Sequence, residues 1–207
     1  QRQIRRAAGL RRDQNLWALD IQRIQKNIER LPFVAEARVE KQLPDKLVIK
    51  IKERQPIAMV EGIGDFGREL FYIDREKAML FKPRPGEDGR QLPLVVGLRK
   101  LDLEAGQQLD KDPKVATALE LLHMMETTSL GTDLDFRTID LGQPLCVRFV
   151  TTRGARITFR NDYLREQLQR LQEIIAYAKK REKRIESVDL TLDRNVPVRF
   201  AKSYLNN

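Results

Sequence analysis

One cysteine, one histidine, one tryptophan and no long apolar run are found among the 207 residues. The lone Cys146 cannot close an internal disulfide, and with His123 as its only company it cannot assemble the Cys/His set of a structural zinc site. In LCVRFV it alternates with apolar neighbours and reads as a small buried core residue. His123 falls among Leu121, Leu122, Met124 and Met125 in a helical pattern and reads as structural. A helix needs about 20 consecutive apolar residues to span a bilayer, and no such stretch or signal peptide occurs. The opening QRQIRRAAGL reads as a helix already under way rather than a natural start. Acidic residues are plentiful, but none pairs with a nucleophile or a phosphate-cradling glycine loop. The chain therefore reads as non-enzymatic, without cofactor or metal.

Positive charge is abundant, and it is uneven. Residues 1–54 hold 14 Lys and Arg against 7 Asp and Glu, leaving 25 against 23 for the remainder. Such a basic N-terminal part suits an anionic surface, with Arg2, Arg5, Arg6, Arg11 and Arg12 as its leading edge. The run from Lys179 to Arg184 invites a nucleic-acid reading. However, it ends a helix, where cations favour the negative end of the dipole, and it lacks the interleaved aromatics that stack bases.

Periodicity divides the chain into two parts, 1–55 and 56–207. In the first, Ile4, Ala7, Ala8 and Leu10 form a helical face closed by Gly9. Ile21, Ile24, Ile28 and Leu31 form a second, with Asp20 as N-cap and Pro32 as stop. Alternation from Val34 to Glu40 and from Leu47 to Lys52, around the turn Leu43-Pro44-Asp45-Lys46, predicts an antiparallel hairpin. Trp17, beside Leu16 and Leu19, is expected to anchor the helices to that hairpin. A two-stranded sheet normally wants a third strand, which is expected just before residue 1.

The second part reads as short strands at Ile57–Val60, Leu70–Ile73, Met79–Phe81 and Leu92–Gly97, with an exposed loop over 82–91. A helix opens at Asp112-Pro113 and buries Val115, Leu119, Leu122 and Met125. A meander over 136–159 leads into a long helix capped by Asn161 or Asp162, with Leu164, Leu168, Leu171, Ile175 and Ala178 on one face. Ile185–Leu192 and Val196–Phe200 then close the chain as a hairpin around Asp193-Arg194-Asn195. The fold class is α+β: a small βααββ-type module lacking its first strand, then a mostly antiparallel sheet with two helices.

Several segments, taken in order, resemble the POTRA domain of the FtsQ/DivIB family: AGL (8–10), NLWALD (15–20), LPFVAEARV (31–39), LPDKLVIKIKER (43–54) and QPIAM (55–59). LPLVVG (92–97) and IESVDLTLDRNVPVRF (185–200) fit the same family further along. The Asp74–Phe81 region departs from its pattern by lacking a glycine, and Leu192 stands where many members have an aromatic. The resemblance implies a non-enzymatic division scaffold anchored in the bacterial inner membrane by an upstream helix. Its folded parts would lie outside the membrane at the septum, binding FtsB/DivIC and FtsL homologues and helping to recruit and regulate septal peptidoglycan synthesis, with no nucleic-acid partner. POTRA domains also occur in chaperones of outer-membrane assembly, which is the alternative reading, ahead of a basic nucleic-acid binder.

An extended partner segment can add itself to an exposed sheet edge. The final strand is the candidate, with Leu192, Arg194, Val196, Val198, Arg199 and Phe200 as partner-binding residues and Pro197 marking an edge. On composition alone the same strand reads as a protected edge. The resemblance turns that reading towards docking.

Overall fold

The computed structural model describes residues 2–10, 14–64, 67–76, 78–83, 89, 91–98 and 103–201. Arg11, Arg12 and most of the loop expected over 82–91 lie outside them.

The N-terminal module comprises α1 (Arg2–Ala8), α2 (Ile21–Glu29), β1 (Val34–Gln42) and β2 (Lys46–Glu53). Helix α1 ends where expected, Gly9 N–H donating to Arg6 O. Asp20 caps α2, accepting from Arg23 N–H at 3.0 Å. β1 and β2 pair antiparallel, and among the described residues this sheet has two strands. A register shift between Val34 and Glu36 breaks the expected strict alternation. Val34 and Ala37 are therefore both buried, where simple alternation would oppose them. Ile24, Ile28, Val34, Ala37 and Val39 form the core, with Ile49 and Ile51 packed on it. Trp17 does not join it. Its side chain is exposed and its backbone is held, the N–H donating to Asn15 Oδ1 at 3.0 Å and the carbonyl accepting from Lys41 Nζ at 3.1 Å. The short 3₁₀ turn Leu16–Ala18 buries none of its residues, so the indole points away from the hairpin it was expected to anchor.

The rest forms one nine-stranded sheet: β3 (Pro56–Gly64), β4 (Gly67–Asp74), β5 (Leu80–Phe81), β6 (Leu94–Val96), β7 (Phe136–Asp140), β8 (Cys146–Thr151), β9 (Arg156–Arg160), β10 (Ile185–Asp189) and β11 (Val198–Phe200). Their spatial order is β11-β10-β9-β8-β7-β6-β3-β4-β5. Five neighbouring pairs are antiparallel; β3/β6, β6/β7 and β9/β10 are parallel. For the last two of these the reason is the helices. α3 (Pro113–Glu126) lies between β6 and β7, and α5 (Leu164–Lys180) between β9 and β10. A strand–helix–strand crossover returns the chain in its original direction. A short helix α4 (Leu130–Asp133), absent from the sequence expectation, follows α3. Gly97 ends β6 with φ +78, and a Cβ there would lie 2.3 Å from Gly142 N, so only glycine lets the parallel strands β6 and β7 finish this close together.

Phe136, Phe149 and Phe159 form an edge-to-face chain at 5.0 and 5.6 Å in the main core, with residues of α3 and α5 in the same cluster. β8 buries Val147, Phe149 and Thr151, so Cys146 falls on the opposite phase and is half-buried rather than in the core. Burial is still enough to push its thiol pKa up.

The two sheets meet through few residues. Phe33, from the α2–β1 connection, packs against both the N-terminal core and the cluster of Met59, Tyr72 and Phe81 on the second face of β3, β4 and β5. Arg54 follows β2; its N–H donates to Phe33 O, its Nε to Pro32 O at 2.8 Å and its Nη1 to Asp74 at 2.9 Å. Both side chains of this ion pair are nearly inaccessible, at 4% and 2%. An ion pair so desolvated tolerates loss of one partner poorly, because the other is left charged and buried. Arg54→Ala is expected to lower unfolding stability in urea by about 3–5 kcal/mol, and Arg54→Met with Asp74→Leu together by far less than the two single changes summed.

Candidate docking edge formed by the terminal strand

The sheet ends at β11, which pairs with β10 on one side and has no described neighbour on the other. Asp189 N–H donates to Pro197 O at 3.0 Å and Ala201 N–H to Arg184 O at 2.8 Å. Residues 197, 199 and 201 thus turn their backbone polar groups towards β10. By strand alternation Val198 and Phe200 turn theirs outward. The open ladder therefore begins with the N–H and C=O groups of these two residues. Pro197 does not blunt it, because its missing donor lies on the β10 side, so the proline marks the start of the strand and leaves the outer edge unobstructed.

Side chains divide as the sequence pattern predicts. Val196 and Val198 pack on the main core, Phe200 is half-buried, and Pro197 and Arg199 are exposed. Phe200 is not alone. The Tyr177 ring of α5 stands 6.4 Å away, half exposed, with Lys183 Nζ 5.1 Å from the Phe200 ring and the Arg181 guanidinium 5.7 Å from that of Tyr177. The result is an aromatic ledge rimmed by cations, level with the open ladder. Tyr177, Arg181 and Lys183 were not among the expected binding residues. The available signal was the i, i+4 spacing of Tyr177 and Arg181 at the end of a helix that precedes the terminal strands. Two more cations of the run are engaged: Lys179 pairs with Asp133, and Arg184 donates to Arg153 O at 2.6 Å.

Leu192 and Arg194 lie before the strand, in the 190–197 connection. The expected tight hairpin is absent, since β10 stops at Asp189, whose carboxylate accepts from both Thr191 N–H and Thr191 Oγ1 and turns the chain. Leu190 is buried and Leu192 exposed. The connection is held from below. Arg160 Nη2 reaches Asp193 at 3.2 Å, and Arg170 Nη1 donates to Leu192 O at 2.6 Å. The Arg160 guanidinium, hydrogen-bonded to Asp162, has its pKa pushed up and stays charged.

Neither Asn161 nor Asp162 caps α5. Asp162 is taken by Arg160, and Tyr163 occupies the N-cap position in a left-handed conformation, φ +51. Gln167 instead ties the start of the helix to the end of β9: buried, it accepts from Arg160 N–H at 2.9 Å and donates to Arg160 O at 3.2 Å. At the other end of the chain, Arg2, Arg5 and Arg6 are exposed on α1, with Arg6 lining a cleft shared with Phe81 and Pro83. Among the described residues there is no group of His, Cys, Asp and Glu able to hold a metal, and no helix long and apolar enough to cross a membrane.

Residues 1–54 match the family described as POTRA domain, FtsQ-type. The chain is 27% identical over 187 residues to the cell division protein FtsQ of Syntrophotalea carbinolica, covering 90% of this chain and 64% of that protein. It is 32% identical over 96 residues to FtsQ of Myxococcus fulvus, covering 46% and 32% of the two chains. With DivIB of Clostridium tetani it shares 24% identity over 106 residues, covering 51% and 38%. The N-terminal module matches the FtsQ-type POTRA family, and the chain is similar to FtsQ and DivIB cell division proteins. It spans 64% of the Syntrophotalea relative and about a third of the other two.

The POTRA match falls on the two-helix, two-strand module. The terminal edge lies on the large sheet, outside that match. Gln167→Ala is expected to cost about 1–3 kcal/mol in urea unfolding by stranding the Arg160 backbone groups, and to accelerate amide exchange in the 190–197 connection. Unchanged exchange there would separate Gln167 from the docking edge.

Proposed function

We propose that this chain is the extracytoplasmic part of a single-pass inner-membrane scaffold of the divisome, and that it works by accepting an extended segment of a partner along β11. FtsB/DivIC and FtsL homologues are the partners that the family resemblance implies. Septal peptidoglycan synthesis is the process their capture helps to place and regulate. No bond is made or broken in this reading: backbone hydrogen bonds from Val198 and Phe200 supply affinity, and side chains on the ledge supply selectivity. The observation that carries it is the position of β11 at the end of the sheet, beside the half-exposed Tyr177.

Binding on the ledge favours an aromatic or acidic partner residue, since Phe200 and Tyr177 offer ring faces and Arg181 and Lys183 offer positive charge. Domains 1–55 and 56–207 divide the labour, the first next to the membrane and the second presenting the edge. Arg2, Arg5, Arg6, Arg11 and Arg12 then belong to a membrane-proximal basic surface. Two observations weigh against the alternatives. The relatives named above carry cell-division names rather than names of outer-membrane assembly factors, and four of the five cations at 179–184 are directed to Asp133, the two aromatic rings and a carbonyl instead of presenting a free stripe to phosphates.

Val198→Pro removes an outward N–H while sparing the hydrogen bonds to β10. In a pull-down with FtsB and FtsL homologues it is expected to weaken capture by at least roughly tenfold, under conditions where a thermal scan shows the variant still folded. Phe200→Asp and deletion of residues 196–207 should do the same. Full capture by Val198→Pro and Phe200→Asp together would remove β11 as the site.

A further inference from the structure

We propose that the cleft between α1 and the β5 border of the large sheet binds an anionic phospholipid, one acyl chain in its depth and the phosphate at its mouth. The cleft measures about 1000 Å³, which is the size of a small-molecule site. Ile4, Leu31 and Phe33 line it from the N-terminal module, and Phe81 and Pro83 from β5 and the residues after it. Ile4, Leu31, Phe33 and Pro83 are only half-buried, so the cleft holds apolar surface that neither core covers. Arg6 and Lys82 stand among these residues with exposed side chains.

The charged lining selects the ligand. Lys82 is held by Glu69 at 2.7 Å, and Glu53, the one carboxylate among the lining residues described, is engaged as well. Arg6 has no ion pair among the described residues, nor has Arg2, one turn before it on the same side of α1, and α1 contains no acidic residue. A phosphate at Arg6 would gain a charge-assisted hydrogen bond, and a hydrocarbon chain would cover the apolar walls behind it. An acidic peptide would satisfy the arginine too, but it would carry a polar backbone into that apolar depth. An amphiphile meets both demands. The inference rests on the reading that the basic surface of α1 faces the membrane, and it names what that surface takes from there. The site lies at the border of the large sheet opposite β11, so lipid and the extended partner segment do not compete.

Dihexanoyl phosphatidylglycerol, kept below its micelle threshold, tests the cleft without a bilayer. Added to the ¹⁵N-labelled chain, it should shift the amide resonances of Ile4, Ala7, Phe33 and Phe81 to saturation. Arg6→Glu should weaken this binding by roughly tenfold. Ala105→Trp, an exposed lining residue whose enlargement plugs the cleft without touching either core, should abolish the shifts in a chain whose remaining spectrum is unchanged. Equal shifts from glycerol phosphate, which has the headgroup without the chain, would reduce the site to a phosphate contact and overturn the inference; so would full binding by Ala105→Trp, or no saturable shift at all. Loss of FtsB or FtsL capture in Ala105→Trp would make the cleft a protein contact and overturn it as well. Adsorption to phosphatidylglycerol vesicles, measured alongside with Arg2→Glu and Arg5→Glu combined, reads the basic surface by itself. Vesicles that adsorb without any monomer shift would sink the cleft and spare that surface, and the reverse result would spare the cleft alone.

Discussion

Backbone hydrogen bonds in a sheet are satisfied pairwise, so an open sheet must stop at a strand with half its ladder unused. In this chain the constraint falls on β11. Nine strands share one sheet that does not close, and the last residues described form one of its two borders. Much of the surrounding structure follows from keeping that border straight and available. Asp189 ends β10 early, Arg160 and Arg170 hold the connection into β11, and Val196 and Val198 seat the strand on the core while the outward groups of Val198 and Phe200 stay unpaired within the described fold. An edge of three residues is short enough to be safe from indiscriminate pairing. A partner must therefore bring side-chain contacts too, and the Tyr177–Phe200 ledge is where the fold provides them.

The opposite border carries a different load. β5 is only two residues long, and β4 beside it is buried on both faces towards its end. One face belongs to the main core; the other is covered by Leu92, Leu94 and, from the N-terminal module, Phe33. The Arg54–Asp74 pair lies at the same place and gives the contact direction, because a guanidinium bound to Pro32 O and to a carboxylate admits few other arrangements. The two borders thus divide the work. One fastens the small module, and the other is left open.

Much of this was readable in the residues. The helices of the N-terminal module, the Leu43–Lys46 turn, the Asp112-Pro113 helix start and the split of Val196, Val198 and Phe200 from Pro197 and Arg199 all rest on local chemistry, and all appear where their patterns place them. What escaped was non-local. Strict alternation could not reveal the bulge that puts Val34 and Ala37 on one side, because a register shift belongs to the pair of strands. Asn161 and Asp162 looked like caps, but Arg160 takes the carboxylate of Asp162, and Gln167 fastens the helix start to the backbone of Arg160. Trp17 looked like an anchor because large aromatics usually bury, yet its turn faces solvent. Tyr177 could not be assigned to the candidate site without knowing that the end of α5 brings its ring to Phe200. The parallel pairs β6/β7 and β9/β10 follow from helices that the sequence did show, once each helix is recognised as a crossover.

Amide hydrogen exchange at single-residue resolution tests the open ladder most directly. In the free protein the N–H groups of Val198 and Phe200 should exchange quickly while that of Arg199, turned towards β10, is protected; adding an FtsB/DivIC homologue should slow Val198 and Phe200 and leave Arg199 as it was. Slow exchange at Val198 and Phe200 before any partner is added, or fast exchange that a bound partner does not alter, would contradict the account.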